Sequence, residues 1–174
     1  MTRRADELHP QLQEIEEQQE ARLVPESYAV AVETARADLA DRLAGLGEYI
    51  EDDCETTDFE VEGPAGTIPV RAYVPEADGP HPIVVFYHGG GYVMGDIESH
   101  DNVCTALANR GDVVVLSVDY RLAPEHPFPA AVEDGYAALE WAATFGHHVG
   151  GDTDAIAVAG DSAGGNLSAA VSLM

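Results

Sequence analysis

A serine flanked by glycines lies near the C-terminal end of the 174-residue chain, in a setting that predicts a particular turn. Residues 155–159 before it are apolar and partly β-branched, which is the pattern of a buried strand. Residues 167–173 after it carry apolar side chains at helical spacing. The turn itself reads Gly160, Asp161, Ser162, Ala163 and Gly164. A strand, a tight Gly-x-Ser-x-Gly turn and a helix together predict a nucleophile elbow with the serine at its apex.

The residue types at this turn have mechanical reasons. Strand and helix pass close together at such an elbow, so Gly160 and Gly164 keep side chains out of the contact. The helix N-terminus directs its dipole toward any oxyanion that forms beside Ser162. Asp161 and Asn166 flank the serine, and we interpret both as helix-start and hydrogen-bonding residues rather than catalytic ones. The motif also arises by chance, since glycine and serine are common in turns.

A second glycine-rich stretch, well upstream of Ser162, strengthens the interpretation. Residues 83–87 form a continuous apolar run that predicts another buried strand. This run leads directly into His88, Gly89, Gly90, Gly91 and Tyr92. A strand followed by His-Gly-Gly-Gly is typical of a loop whose backbone N–H groups form an oxyanion hole. Glycines are needed in such a loop because bare backbone must approach the substrate carbonyl.

A third stretch completes a family resemblance. Residues 119–131 read Asp-Tyr-Arg-Leu-Ala-Pro-Glu-His-Pro-Phe-Pro-Ala-Ala, directly after a predicted strand at 113–118. With the two glycine-rich motifs in the expected order, the chain resembles the hormone-sensitive-lipase-like branch of the α/β-hydrolases, which are carboxylesterases and lipases. The resemblance covers about residues 68–174.

The resemblance implies a role for each motif residue. Ser162 would be the nucleophile that attacks an ester carbonyl, and the N–H groups of Gly90, Gly91 and Ala163 would hold the resulting oxyanion. His88 would maintain the shape of its loop rather than act as a base. The residues that support the motifs are His88, Gly89, Gly160, Asp161 and Gly164. The implied substrate is a small-molecule ester, with amide hydrolysis as a neighbouring alternative.

The acid and base of the implied catalytic triad are expected elsewhere. In this fold the triad runs in the order Ser, then Asp or Glu, then His, so both partners should follow Met174. The other histidines considered are interpreted as surface or structural residues: His100, His126, His147 and His148. Two hypotheses follow. The chain is the front part of a serine carboxylesterase, or it is a truncated or split-gene fragment that is inactive without a second chain and tends to oligomerise.

Acidic residues dominate the charge of the chain. It has 32 Asp and Glu against 8 basic residues, all of them arginine, and a net charge of −24. Such a charge repels the compact state at low ionic strength, and molar salt screens the repulsion. We therefore predict a halophilic protein, with an ordinary acidic protein from a GC-rich genome as the alternative. No basic patch for nucleic acid can be assembled from these residues.

No cofactor or metal is implied. The sequence lacks Gly-x-Gly-x-x-Gly, and the absence of lysine excludes a P-loop. Cys54 and Cys104 are too few and too far apart for a disulfide framework or a metal knuckle, and Cys104 is predicted to be a small core residue. An arginine pair near the N-terminus has no apolar stretch after it, so a cytoplasmic location is expected. No segment approaches the length of a membrane span.

The overall expectation is an α/β-hydrolase fold, a mostly parallel sheet with helices on both faces, truncated after the helix that follows the serine. Residues 1–47 are predicted to be a helical segment, either a cap over the active site or a peripheral helix pair. Residues 48–174 are predicted to be an incomplete hydrolase domain.

Three further elements are predicted from local patterns. Alternation over residues 58–74 indicates an edge hairpin. Helices are expected over about 99–110 and 130–145. In the first of these helices, Val103, Leu107 and Ala108 are expected to face the core.

Overall fold

The computed structural model describes Gln13, residues 30–44 and residues 54–174 of the chain. Helix α1, Val32–Ala44, falls within the segment 1–47 that is predicted to be helical. Most of that segment lies outside the described residues. Its interpretation as a cap or as a peripheral helix pair therefore stays a prediction, and so does its boundary.

The chain divides into two compact units, residues 1–35 and residues 36–174, and the second unit contains every candidate site residue. In chain order after α1, the elements are β1 Glu55–Gly63, β2 Gly66–Val74, β3 His81–Tyr87, α2 Asp101–Gly111, β4 Val114–Val118, α3 Ala130–Phe145, β5 Gly151–Gly160 and α4 Ala163–Val171. Short 3₁₀ turns at Glu98–His100 and Gly146–Val149 precede α2 and β5.

The strands β1 to β5 form one sheet in the order β1-β2-β4-β3-β5. Strand β3 pairs in parallel with β4 on one side and with β5 on the other. Strand β1 pairs antiparallel with β2, and β2 antiparallel with β4. Each residue of β4 is buried, as expected for a central strand covered on both faces. The predicted α/β fold is confirmed, with a parallel centre and an added hairpin.

The β1–β2 hairpin lies at one edge of the sheet, as predicted. Its strands stay in register up to Gly63 and Gly66, which pair at the turn. Pro69 lies just outside the part of β2 that pairs with β4, which begins at Val70. Pro69 also pairs with Glu60 of β1, but its carbonyl accepts the N–H of Asp119, just past the end of β4. Its nitrogen therefore faces the same side, beyond the paired part of β4, and the ladder does not need the N–H that proline lacks.

The two faces of the sheet carry separate cores, because neighbouring residues of a strand point to opposite faces. Val85 and Tyr87 of β3 belong to a core shared with α3 and α4, whereas Phe86 belongs to a core shared with α2. Cys104 and Ala108 of α2 are fully buried in the second core. Helices on both faces and a core position for Cys104 are therefore confirmed.

The predicted inward face of α2 is wrong in part. Val103 and Leu107 are 45% and 37% exposed, although the sequence predicts both to face the core. Cys104 and Ala108, four residues apart, make the contact with the sheet instead. Small side chains on this face let the helix lie close to the sheet, and the larger neighbours are turned about 100° around the helix axis.

A buried ion pair fixes the loop that follows β4. The Asp134 carboxylate of α3 is 1% exposed and accepts hydrogen bonds from Arg121 Nε at 2.8 Å and from Nη2 at 2.7 Å. The backbone N–H of Arg121 donates to the same carboxylate at 2.9 Å. The hydrogen bonds to Asp134 raise the pKa of Arg121, so the guanidinium stays charged. Loop and helix therefore satisfy each other's polar groups.

We expect Asp134→Ala to lower the free energy of unfolding by about 3 kcal/mol, because it leaves the charge of Arg121 without its buried partner. Unfolding in urea at constant high salt measures the difference. Glu133→Ala is the matched control. Glu133 lies 3.5 Å from the same guanidinium with its side chain 48% exposed, so its loss should cost under about 1 kcal/mol. Equal losses in the two variants would contradict the conclusion that Asp134 is the main partner of Arg121.

Candidate active site

Ser162 occupies a strained backbone position between a strand and a helix. Strand β5 ends at Gly160 and helix α4 begins at Ala163, with Ser162 at φ 50° and ψ −113° between them. A positive φ is uncommon for a residue with a side chain and costs on the order of 1–3 kcal/mol. The side chain is exposed. The elbow predicted from the motif is therefore present as a strand, a strained turn and a helix.

The glycines beside the serine are required by close backbone packing. A Cβ on Gly160 would lie 2.7 Å from the carbonyl oxygen of Gly164. A Cβ on Gly164 would lie 2.8 Å from the carbonyl oxygen of His88 and would overlap the carbonyl oxygen of Tyr87. Both distances are shorter than van der Waals contact allows. Strand β5 and helix α4 therefore approach through bare backbone, as expected from the motif, and the elbow meets the end of β3 in the same way.

The amide of Ala163 is available at the start of α4. The carbonyl of Asp161 accepts the N–H groups of Gly164 at 2.7 Å and Gly165 at 3.3 Å, and the carbonyl of Ser162 accepts that of Asn166 at 3.1 Å. Ala163 is the first residue of the helix, and the helix cannot itself pair an N–H at that position. This amide adjoins the serine, at the positive end of the helix dipole.

Two glycine peptides in the loop after β3 are held by their carbonyl groups. His88 Nδ1 lies 2.8 Å from the carbonyl oxygen of Gly89. The carbonyl of Gly90 accepts the N–H groups of Val93 at 3.2 Å and Met94 at 2.9 Å. In a planar trans peptide, the N–H points opposite to the C=O. The amides of Gly90 and Gly91 are therefore turned away from the groups that hold their peptides, and both are left for another acceptor.

His88 is built into the fold beneath this loop. Its ring is fully buried and stacks on Tyr120, with ring centroids 4.3 Å apart and an interplanar angle of 9°. Burial lowers the pKa of His88, so the ring is neutral. We assign its proton to Nδ1, which then donates to Gly89; Nε2 has no partner among the described residues. The contacts fit a residue that shapes the loop.

Side chains join the loop to the elbow at two points. His100 Nε2 lies 3.1 Å from Asp161 Oδ1, and the hydroxyl of Tyr92 donates to Asn166 Oδ1 at 2.6 Å. The N–H of Gly89 also lies 3.4 Å from His100 Nε2. One nitrogen cannot both donate and accept, and we assign the shorter, charge-assisted contact to Asp161. The hydrogen-bonding roles predicted for Asp161 and Asn166 fit these contacts.

Several of these contacts were not predicted from the sequence. The sequence indicates a surface or structural role for His100; the structure has it 7% exposed and paired with Asp161, the residue before the serine. Tyr92 follows the glycine run directly, and its hydroxyl is the one feature of the sequence that could have pointed to its hydrogen bond with Asn166. No local pattern connects His100 with Asp161, because the two lie on different loops.

An apolar cavity of about 380 Å³ lies beside the Tyr92–Asn166 hydrogen bond. Apolar side chains of the loop after β4 and of helices α3 and α4 form much of its wall, among them Phe128, Val132 and Ala170. Phe128 is 86% exposed. A cavity whose wall is mostly apolar, with a few polar lining residues such as Arg121 and His126, suits the uncharged part of a small molecule.

Within residues 30–44 and 54–174 no base lies against Ser162, and its hydroxyl makes no hydrogen bond there. The expectation that the acid and base follow Met174 stays a prediction. The same residues contain no cluster of His, Cys, Asp and Glu that could hold a metal ion. Among the described helices, none is both long and apolar enough to cross a bilayer.

This arrangement has counterparts among known proteins. A family model described as alpha/beta hydrolase fold matches residues 84–174. Esterase LipI of Mycobacterium tuberculosis is 48% identical over 125 residues, which cover 70% of this chain and 39% of that protein. An ethyl acetate hydrolase of Pseudomonas putida is 37% identical over 161 residues, which cover 90% of this chain and 50% of that protein.

Solved structures agree with the sequence matches. A hyperthermophilic esterase from the archaeon Pyrobaculum calidifontis superimposes with a TM-score of 0.89 at 45% identity, covering 96% of this chain and 53% of that one. The chain thus spans about half the length of these relatives, or less. The chain belongs to the α/β-hydrolase family, in the hormone-sensitive-lipase-like carboxylesterase branch that its motifs predict.

Proposed function

We propose that the protein is a serine carboxylester hydrolase in which Ser162 is the nucleophile and the N–H groups of Gly90, Gly91 and Ala163 form the oxyanion hole. The observation that carries the proposal is the state of the two glycine peptides after β3. Each carbonyl is held by a partner in its own loop, so each N–H is turned away from that partner. Hydrogen bonds from Tyr92 to Asn166 and between His100 and Asp161 join this loop to the elbow that carries the strained, exposed Ser162.

The proposed reaction uses these groups in sequence. Ser162 Oγ bonds to the carbonyl carbon of the ester while its proton passes to a base, which the described residues do not place against the serine. The carbonyl oxygen becomes an oxyanion, and each amide donor that meets it contributes about 3 kcal/mol of transition-state stabilisation. The carbon–oxygen bond to the alcohol then breaks, and the base returns its proton to the leaving alcohol. Water releases the acid from the serine by the same steps.

The substrate class follows from the walls of the site. The cavity beside Asn166 is apolar and about 380 Å³ in volume, which suits an uncharged acyl or alcohol group. The net charge of −24 disfavours anionic esters, because an acidic surface repels them. We therefore assign small uncharged esters as substrates.

A fragment that needs a second chain is the alternative function. Strand β5 lies at an edge of the sheet, with β3 as its partner among the described residues. An exposed strand edge is a template for pairing with another chain. On this alternative, the 174-residue chain binds a complementing chain that supplies the base and covers β5.

The test compares the isolated 174-residue chain with the longest product of its gene, both assayed on p-nitrophenyl acetate and butyrate in molar KCl. A p-nitrophenyl phosphonate should label the active sample once per chain, and peptide mass spectrometry should place the label on Ser162. Label on another residue, or no hydrolysis in either sample, would overturn the esterase proposal. An active, monomeric 174-residue chain would overturn the alternative. Repeating the assay in low-salt buffer tests the halophilic prediction, which expects loss of activity there.

A further inference from the structure

We propose that Arg36 of helix α1 is a positioning residue that orients the Gly91 amide of the oxyanion hole through two intervening peptides. The inference rests on the proposed function and adds to it a residue outside the recognised motifs. Arg36 belongs to the same compact unit as the loops that it contacts.

The guanidinium of Arg36 makes hydrogen bonds to two loops at once. Nε donates to the carbonyl of Val93 at 2.7 Å, and Nη2 donates to the carbonyl of Ala123 at 3.2 Å. Nη1 and Nη2 also bind the Glu125 carboxylate in a fork, at 2.9 and 2.8 Å. Such a fork-shaped set of donors is available to arginine and not to lysine.

The hydrogen bond from Arg36 to Val93 is connected to the proposed oxyanion hole through the backbone. The Val93 carbonyl and the Met94 N–H belong to one planar peptide, and that N–H donates to the Gly90 carbonyl at 2.9 Å. The Gly90 carbonyl and the Gly91 N–H in turn belong to a second planar peptide. Arg36 therefore holds one end of a chain of two rigid peptide groups, and the Gly91 N–H is the other end.

The second contact stops the two loops from moving apart. Ala123 N–H donates to the Tyr92 carbonyl at 2.8 Å, while the Ala123 carbonyl accepts from Arg36. Tyr92 has φ 63°, in the left-handed region that a residue with a side chain rarely adopts. A strained residue is stable only where its surroundings fix it. Arg36 binds Val93, the residue after Tyr92, and Ala123, whose N–H holds the Tyr92 carbonyl.

The ion pair with Glu125 contributes less to the positioning than the hydrogen bonds to the two carbonyls. Both side chains are partly exposed, at 31% for Arg36 and 49% for Glu125, so salt screens their attraction. The hydrogen bonds from Arg36 lower the pKa of Glu125 to about 2, so the pair is lost only as the pH falls toward that value. Hydrogen bonds to the carbonyls of Val93 and Ala123 are not lost in molar salt. The positioning effect should therefore survive at high ionic strength.

The experiment uses the longest active form of the protein and compares Arg36→Ala, Arg36→Lys and Glu125→Gln with Arg42→Ala. Arg42 lies on the same helix with its side chain exposed, and it is the matched control for loss of an arginine from α1. Rates are divided by the concentration of active sites titrated with phosphonate. We expect Arg36→Ala and Arg36→Lys to lower kcat by about 10- to 100-fold with little change in KM, since an oxyanion donor acts in the transition state. Glu125→Gln and Arg42→Ala should stay within about threefold of the parent.

Hydrogen exchange gives a readout that needs no activity. The Met94 amide should exchange faster in Arg36→Ala than in Arg42→Ala, because the peptide that carries it has lost its anchor. An unchanged kcat per titrated site, or an unchanged Met94 exchange rate in folded Arg36→Lys, would overturn the inference. Lower stability with normal kcat per site would assign Arg36 a purely structural role. A parent protein without esterase activity would overturn the proposed function instead. The Met94 exchange rates would still show whether Arg36 holds the Val93–Met94 peptide in place.

Discussion

Ser162→Ala is expected to lower kcat for p-nitrophenyl esters by about 10⁶-fold. The nucleophile and the base of a serine hydrolase act together, so the base alone gives little catalysis once the serine is lost. The hydroxyl is exposed at the apex of the elbow and makes no hydrogen bond within the described part of the chain. Its removal should therefore change the chemistry without disturbing the packing. Steady-state hydrolysis in molar KCl, with phosphonate labelling of each variant, measures the loss.

Ser172→Ala is the control for this variant. Ser172 follows the same helix, is exposed, and donates to the carbonyl of Ala169 at 3.0 Å. Its loss should leave kcat within about twofold of the parent, as is usual for exposed sites away from the chemistry. Alanine keeps the strain at φ 50° in the Ser162 variant, so its unfolding midpoint should match that of the parent. Hydrolysis that survives in Ser162→Ala would show that another group forms the acyl-enzyme or that none forms.

The central strands could be predicted from the sequence because burial on both faces leaves an unmistakable pattern. Strand β4 is apolar except for Ser117, and all of it is buried, so its composition reports its position directly. The inward face of α2 could not be found in the same way. The sheet contacts Cys104 and Ala108 because they are small, whereas a search for large apolar residues selects Val103 and Leu107. Close helix packing favours small side chains, and hydropathy alone does not measure the fit.

The candidate site divides along a similar line. The motif glycines can be predicted because bare backbone is needed at each of them, at Gly90 for a φ of 118° and at Gly164 for close approach to the end of β3. The side chains that hold these loops in place were missed. Arg36 reaches Glu125 across 89 positions of sequence, and no local pattern records such a pair. Contacts of this kind depend on the completed fold, so the motif predicts the backbone of the site but not its supports.

Gly90→Ala is expected to lower kcat by about 10²- to 10³-fold, the loss typical of a missing oxyanion donor. Gly90 has φ 118°, which a residue with a Cβ rarely adopts, and an added Cβ would overlap the carbonyl of Met94 and lie 3.1 Å from the Gly95 nitrogen. The loop must therefore shift, and the amides of Gly90 and Gly91 shift with it. Hydrolysis per titrated active site measures the effect.

Gly91→Ala tests whether the loss of kcat in Gly90→Ala comes from the steric contact with Met94 or from any substitution in this loop. Gly91 has φ 66°, and a Cβ added there would meet nothing within 4 Å among the described residues. An alanine in the left-handed region costs only about 1–2 kcal/mol, and the cost falls on stability because the peptide stays in place. We therefore expect Gly91→Ala to lose clearly less kcat in molar KCl than Gly90→Ala, while it also unfolds at lower urea concentration. Equal losses of kcat in the two variants would mean that a side chain at either position blocks the approach of the substrate, and that the contact with Met94 is not the cause. A loss confined to Gly90→Ala would mean that close packing of Gly90 against the Met94 carbonyl sets the shape of the proposed oxyanion hole.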